Sequence, residues 1–219
     1  MSGPLEAAVS DVERAVREAD EALRRVDSAR EEAAKISRDV IRYSGYSITY
    51  LHKGDLEGAA RALEECESLA RRLLELVSPY PELEHSGLVY NAVSEYVEAK
   101  VFFTVVTQGR VPSLRDLSVH PVPYLQGLAD VVGELRRRAL DSVGRGDLEE
   151  ARRALYLMES IYGALKGLDY PDAVLPNVRH KVDVARALID STKALLVDVE
   201  SRERLVRLLS AQSASQQRA

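Results

Sequence analysis

Apolar residues recur at threes and fours along almost the whole chain, and no stretch shows the period of two expected of a half-buried strand. The first run places Leu5, Val9, Val12, Val16, Ala19, Leu23 and Val26 on one stripe and continues through Ile36, Val40 and Ile41 to about His52. A helix of that length needs a partner surface to bury its stripe. Its strongly charged first half has the pattern of a coiled-coil arm. Gly45, within the run, predicts a bend or a close helix crossing. Lys53-Gly54-Asp55 predicts a stop followed by a cap, because Gly suits the left-handed helix terminus and Asp accepts from the free N–H groups of the next helix. A second amphipathic helix runs from about Leu56 to Val77, and Pro79 and Pro81 then break it.

The third predicted helix, about Leu88 to Thr107, is apolar nearly all round, as a central buried helix would be. A connector with Pro112, Pro121 and Pro123 leads to a fourth, about Tyr124 to Val143, whose core stripe is Leu125, Leu128, Val132, Leu135 and Ala139. Gly146-Asp147 repeats the stop and cap, and Asp147 and Glu150 have capping-box spacing. The helix that follows resembles the second, since GDLEGAARALEECES at 54–68 matches GDLEEARRALYLMES at 146–160. Pro176 is expected in the first turn of a last helix that runs from about Val178 to Leu209. The tail SAQSASQQRA is small and polar and reads as disordered. The expectation is an all-α protein: one domain over 1–209, a bundle of six or seven long helices, followed by a disordered tail over 210–219.

Composition narrows the function classes. The chain has 219 residues, of which 46% are apolar, enough for one large core. A formal net charge of −5 argues against a uniformly basic nucleic-acid binder but leaves room for a local basic stripe or a basic lumen in an oligomer. Cys66 is the only cysteine, which excludes an intrachain disulfide and a cysteine-based zinc site. No run approaches the ~18 apolar residues of a membrane span, and the N-terminal stretch has no apolar signal core. A soluble cytoplasmic protein without a membrane partner is expected. The charged fraction of 30%, with few Cys and Met, leans toward a heat-adapted protein.

The candidate chemistry lies in two short segments. SEYVEAKVFF at 94–103 places Glu95 and Glu98 three apart, and YLQGLADVVGELRRR at 124–138 places Asp130 and Glu134 four apart. On helices, each pair projects from one face. Four carboxylates converging from neighbouring helices would make an all-oxygen site for a hard divalent cation. Two plainer readings stand beside this one. Glu95 and Glu98 would form buried ion pairs with an Arg of another helix, and Asp130 and Glu134 would lie on a solvated face with Glu134 against Arg137 or Arg138. Like charges one turn apart repel, so neutralising either Glu98 or Asp130 is expected to leave the metal-free protein at least as stable. Glu82 and His85 have di-iron spacing but sit alone in a proline-flanked connector. Basic residues gather at Lys35, Arg38, Arg42, His52 and Lys53 and again at Arg179, His180, Lys181 and Arg186. Either group is a solvated face or a contact for a nucleic-acid backbone, with Tyr43, Tyr46 and Tyr50 available to stack bases.

The segments AREEAAKISRDVIRYS (29–44), SEYVEAKVFF (94–103), VPYLQGLADVVGELRRRAL (122–140) and NVRHKVDVARALID (177–190) together resemble the translin family, which includes translin and translin-associated factor X. The resemblance implies an all-α protein that assembles into a hollow oligomer, commonly an octamer, around single-stranded RNA or DNA. It also implies a branch. Glu95, Glu98, Asp130 and Glu134 stand where factor X carries its catalytic acidic set, so the chain looks like a Mg²⁺- or Mn²⁺-dependent endoribonuclease whose metal ligands are those four residues. Lys35, Arg38, Arg42, Arg179 and Lys181 are the expected nucleic-acid contacts. The alternatives are a non-catalytic translin-type binding oligomer and an all-α nucleotide pyrophosphohydrolase, although the latter favours Glu-x-x-Asp over the Asp-x-x-x-Glu found here. Lys100, two residues past Glu98, departs from the pattern and would compete as an ion partner.

Overall fold

Most turns between the long helices fall where the sequence supplies a stop or a cap. The structure, a computed structural model, describes residues 3–216. In chain order its helices are α1 (Gly3–His52), α2 (Leu56–Val77), α3 (Pro81–Glu84), α4 (Gly87–Gln108), α5 (Leu114–Leu117), α6 (Pro121–Gly144), α7 (Leu148–Leu165) and α8 (Val178–Gln216), with no strand among the described residues. The chain is all-α, as its periodicity predicts, with α3 and α5 as single turns inside the first two proline-bearing connectors.

Gly54 and Gly146 take the left-handed conformation, at φ 77° and 78°. Asp55 then accepts from the Gly58 N–H at 2.8 Å and Asp147 from the Glu150 N–H at 3.0 Å. The Asp147–Glu150 capping box is only half made, because the Glu150 side chain instead accepts from Arg138 Nε at 2.6 Å. Helix α6 begins at Pro121, earlier than the apolar stripe implies. His120 serves as its cap, with Nδ1 accepting from the Val122 N–H at 3.3 Å. Pro121 at the first turn forfeits no hydrogen bond. Pro176 falls outside the first turn of α8, since left-handed Asn177 (φ 64°) separates it from Val178. Of the expected tail, residues up to Gln216 continue α8, and 217–219 lie outside the described residues. Gly45 marks no close crossing, because a Cβ there would meet nothing within 4 Å.

Two helical hairpins, α1–α2 and α6–α7, flank α4, and α8 packs along α6 and α7. The resemblance between 54–68 and 146–160 thus has a structural counterpart: each segment turns the chain back onto the long helix before it. Val93, Val97, Val101 and Phe102 of α4 are buried against Val40, Leu73, Val132 and Leu135 of its neighbours. Cys66 is buried and free, and burial raises its thiol to about 11, which keeps it an inert core group. The long helices overrun this core at both ends. Leu5, Val9, Val12, Val16 and Leu23 of α1 remain exposed, as do Leu205, Val206 and Leu208 of α8. No helix among the described residues is long and apolar enough to cross a membrane.

Candidate active site

Helices α4 and α6 approach each other closely at Gly127. A Cβ there would lie 2.8 Å from the Val97 Cβ and closer still to the Ser94 carbonyl oxygen. Gly127, Asp130 and Glu134 share one face of α6, spaced by three and four. That face is therefore turned toward α4, not toward solvent. On the facing side of α4, Ser94 and Val97 alternate with Glu95 and Glu98, so the close contact brings the two acidic pairs together.

Their electrostatics record the crowding. Glu98 is only 9% exposed, and its carboxyl is pushed up to about 9, by burial first and then by the charges of Asp130, Glu95 and Glu134. Glu95 is also raised, by burial and then by Asp130. Asp130 is raised by burial despite the opposing hydrogen bond and charge of Lys181. Neither Glu95 nor Glu98 has an ion-pair partner among the described residues, so the expected pairing with an Arg is not formed.

Two side chains complete the cluster from outside the acidic segments. Lys181 of α8 donates from Nζ to both carboxylate oxygens of Asp130 at 2.5 Å. His52, at the end of α1, donates from Nε2 to Glu134 Oε2 at 2.6 Å, with its Nδ1 3.7 Å from Asp141. Its ring is tilted over Phe102 with centroids 5.1 Å apart. The sequence reading groups both with basic residues that form a solvated face or a nucleic-acid contact, and does not join them to the carboxylates. His52 continues the buried series Val40, Ser44 and Ile48 at steps of four, whereas Arg38 and Arg42 lie on another face. Lys181 likewise falls on the α8 stripe of Val178, Ala185, Ile189 and Thr192. That continuity was the available signal. Glu134 touches neither Arg137 nor Arg138, since Arg138 is held by Glu150. Lys100 bonds Glu67 at 2.7 Å and so does not compete for the acidic set.

The remaining predicted binding residues lie on the surface. Lys35 and Arg38 are exposed, and Arg42 reaches Asp39 at 2.8 Å and lies over the Tyr43 ring. Tyr46 and Tyr50 are exposed on the same helix. Arg179 is exposed and 3.3 Å from Asp169. The di-iron spacing has no counterpart, because His85 Nδ1 meets the Tyr90 hydroxyl.

Among the described residues no three His, Cys, Asp or Glu side chains are arranged as a metal site. The donor chemistry nevertheless suits a hard divalent ion. Four carboxylates face one half-buried space, Glu98 is pushed toward its neutral form by burial and then by the other three charges, and the Lys181 ammonium reaches the cluster at Asp130.

Known proteins share both the sequence pattern and this fold. An uncharacterized protein of Methanocaldococcus jannaschii is 32% identical over 185 residues, covering 82% of each chain. The structure of AfC3PO, also solved as a complex with duplex RNA, matches with a TM-score of 0.79 and 34% identity, covering 85% of this chain and 97% of that one. Apo-NeC3PO, at 24% identity and a TM-score of 0.76, covers 84% of this chain and 96% of its own and shares the fold. Residues 5–199 match the family described as Translin, which with the relatives above establishes that this chain belongs to the translin family.

Proposed function

We propose that the protein is a divalent-metal-dependent endoribonuclease that cuts single-stranded RNA inside a hollow homo-octamer in the cytoplasm. The observation that carries this reading is the gathering of four carboxylates around Glu98, an arrangement that costs stability unless positive charge offsets it. AfC3PO, 34% identical and solved with duplex RNA, supports RNA as the ligand.

Glu95, Glu98, Asp130 and Glu134 would hold Mg²⁺ or Mn²⁺. Such an ion, when bound, supplies Lewis-acid stabilisation of charge on a phosphate and acidifies a bound water. The chain's own groups do the rest. His52 fixes the orientation of Glu134, and Lys181 brings an ammonium to the edge of the cluster where a phosphate oxygen can share it with Asp130. A deprotonated carboxylate of the set accepts the proton of the attacking water. Arg38, Arg42, Lys35 and Arg179 contact the RNA backbone outside the cluster.

The test is incubation with single-stranded RNA, duplex RNA and a panel of nucleoside triphosphates, each with Mg²⁺, Mn²⁺ or EDTA. Cleavage confined to metal-supplemented RNA, fastest on single strands, is expected. Triphosphate hydrolysis without RNA cleavage would overturn the reading. One observation favours a second reading, a non-catalytic translin-type RNA- or DNA-binding oligomer: Lys181 already pairs with Asp130. That reading requires tight single-strand binding with no cleavage under any metal.

Assembly follows from the exposed stripes of α1 and α8, since each large apolar side chain contributes about 1.5–3 kcal/mol on full burial. Light scattering should therefore return a multiple of 24.3 kDa, and a monomer at micromolar concentration contradicts it. The Arg38→Ala, Arg42→Ala double variant should keep its assembly but bind single-stranded RNA more weakly. Its log–log salt slope should be shallower by about 1.4, at roughly 0.7 per lost phosphate contact. An unchanged slope removes this part of α1 from the binding surface.

A further inference from the structure

A second feature adjoins the carboxylates. A cavity of about 630 Å³ opens among the starts of α4, α6 and α8, within the range of about 300–1,000 Å³ usual for small-ligand sites. Along α4 it reaches Ser94, next to Glu95. Along α6 it reaches Gln126, one turn (~5.4 Å) before Asp130. On α8 it ends at Lys181, which faces both the cavity and the acidic cluster.

Its far wall is aromatic. The Tyr90 and His120 rings are stacked, with centroids 5.3 Å apart, and His85 lies 5.3 Å from His120. The wall is also held by hydrogen bonds. The Tyr90 hydroxyl lies 3.1 Å from Nδ1 of both histidines, and His120 Nδ1 already accepts from the Val122 N–H. Accepting there leaves His120 Nδ1 without a proton, so it donates nothing to the Tyr90 hydroxyl. This leaves His120 with Nε2–H as its remaining donor. Burial, with the nearby His85, lowers the His120 pKa and so favours its neutral form. Gln126 is anchored by donating Nε2 to the Pro176 carbonyl at 2.8 Å, leaving its own carbonyl oxygen as an acceptor beside the cavity.

Together these features give an aromatic wall, polar donors and acceptors, and one ammonium at the end next to the carboxylates. We infer that the cavity is a base-binding subsite, in which one unpaired RNA base stacks against the Tyr90–His120 wall while its phosphate lies toward Lys181 and the carboxylates. This rests on the reading of the protein as RNA-binding and adds how the strand is placed: a base already held in a duplex cannot enter, which makes the subsite a source of single-strand preference.

The experiment uses short single-stranded RNAs carrying 2-aminopurine at successive positions, with EDTA present so that no cleavage occurs. Binding to the wild-type protein should quench emission strongly at one position. His120→Asn, which removes the ring but keeps a capping oxygen for α6, should relieve that quenching and weaken binding about tenfold, the scale of one lost base stack. His85→Ala, which leaves the α6 cap untouched, should relieve it in part. Far-UV circular dichroism verifies that both variants fold. RNA that binds with no quenched position, or quenching that persists in both folded variants, overturns the subsite alone. A wild-type protein that binds no RNA overturns it together with the reading it rests on.

Discussion

Glu98→Gln and Asp130→Asn should each lower RNA cleavage by at least ~100-fold, the scale on which removal of one electrostatic contributor acts in a water-poor site, while assembly and RNA binding persist. The two variants should separate in stability. Glu98 is raised from the ordinary carboxylate range to about 9, so between those values the folded chain keeps a proton that the unfolded chain has released. The Glu98 contribution to folding stability of the metal-free wild type is then full at low pH and falls as pH rises toward 9, by up to about 1.4 kcal/mol per unit for one proton. Glu98→Gln removes the titrating group and should flatten this slope and raise the melting temperature above pH 7. Asp130→Asn behaves otherwise. Charge spacing alone predicts relief of like-charge repulsion, but Asp130 holds Lys181 at 2.5 Å, and losing that carboxylate strands a half-buried ammonium. This variant should melt lower in EDTA than the wild type. Melting curves from pH 5 to 9, run beside cleavage assays, decide the matter. Undiminished cleavage by Asp130→Asn ends the catalytic assignment, and a pH slope unaffected by Glu98→Gln shows that Glu98 does not carry the retained proton.

Gly127→Ala should damage both fold and activity with the smallest change available in the chain. The added methyl meets the Ser94 backbone carbonyl and the Val97 Cβ, neither of which can turn aside as a flexible side-chain tip would. Overpacking of this kind costs about 1–3 kcal/mol. The helices it forces apart are the two that carry the acidic pairs, and displacement of about 1 Å at reacting groups can cost ~100-fold in rate. Gly45→Ala is the control. That glycine is also within a helix, but a Cβ there meets nothing within 4 Å, so the gain in helix propensity should stabilise the chain by about 0.5–1 kcal/mol. Thermal melts and cleavage rates of the two variants test the contrast. A Gly127→Ala protein that matches the wild type in both would show that the close α4–α6 contact does not position the site.

Helix periodicity is local, so the chain itself marks the long helices, the Gly54-Asp55 and Gly146-Asp147 turns, and the apolar character of α4. Two acidic pairs at helical spacing are equally legible, because a carboxylate on an otherwise apolar helix contradicts its surroundings. What the pattern cannot supply is which faces meet. The plainer reading of Asp130 and Glu134, a solvated face, stands open in the sequence because the α6 stripe of Leu and Val accounts for only one of its packed sides; a helix in contact with α4, α7 and α8 has little solvated face left. Lys181 and His52 stand 51 and 82 residues from their partners, and no local period links such positions. The cavity wall depends in the same way on His85, Tyr90 and His120 meeting across two connectors. The sequence by itself determined where the helices lie and which side chains are chemically unusual. Only the tertiary structure decided that these gather into one cluster, because convergence depends on interhelical distance, and at Gly127 that distance is set by the absence of a single Cβ.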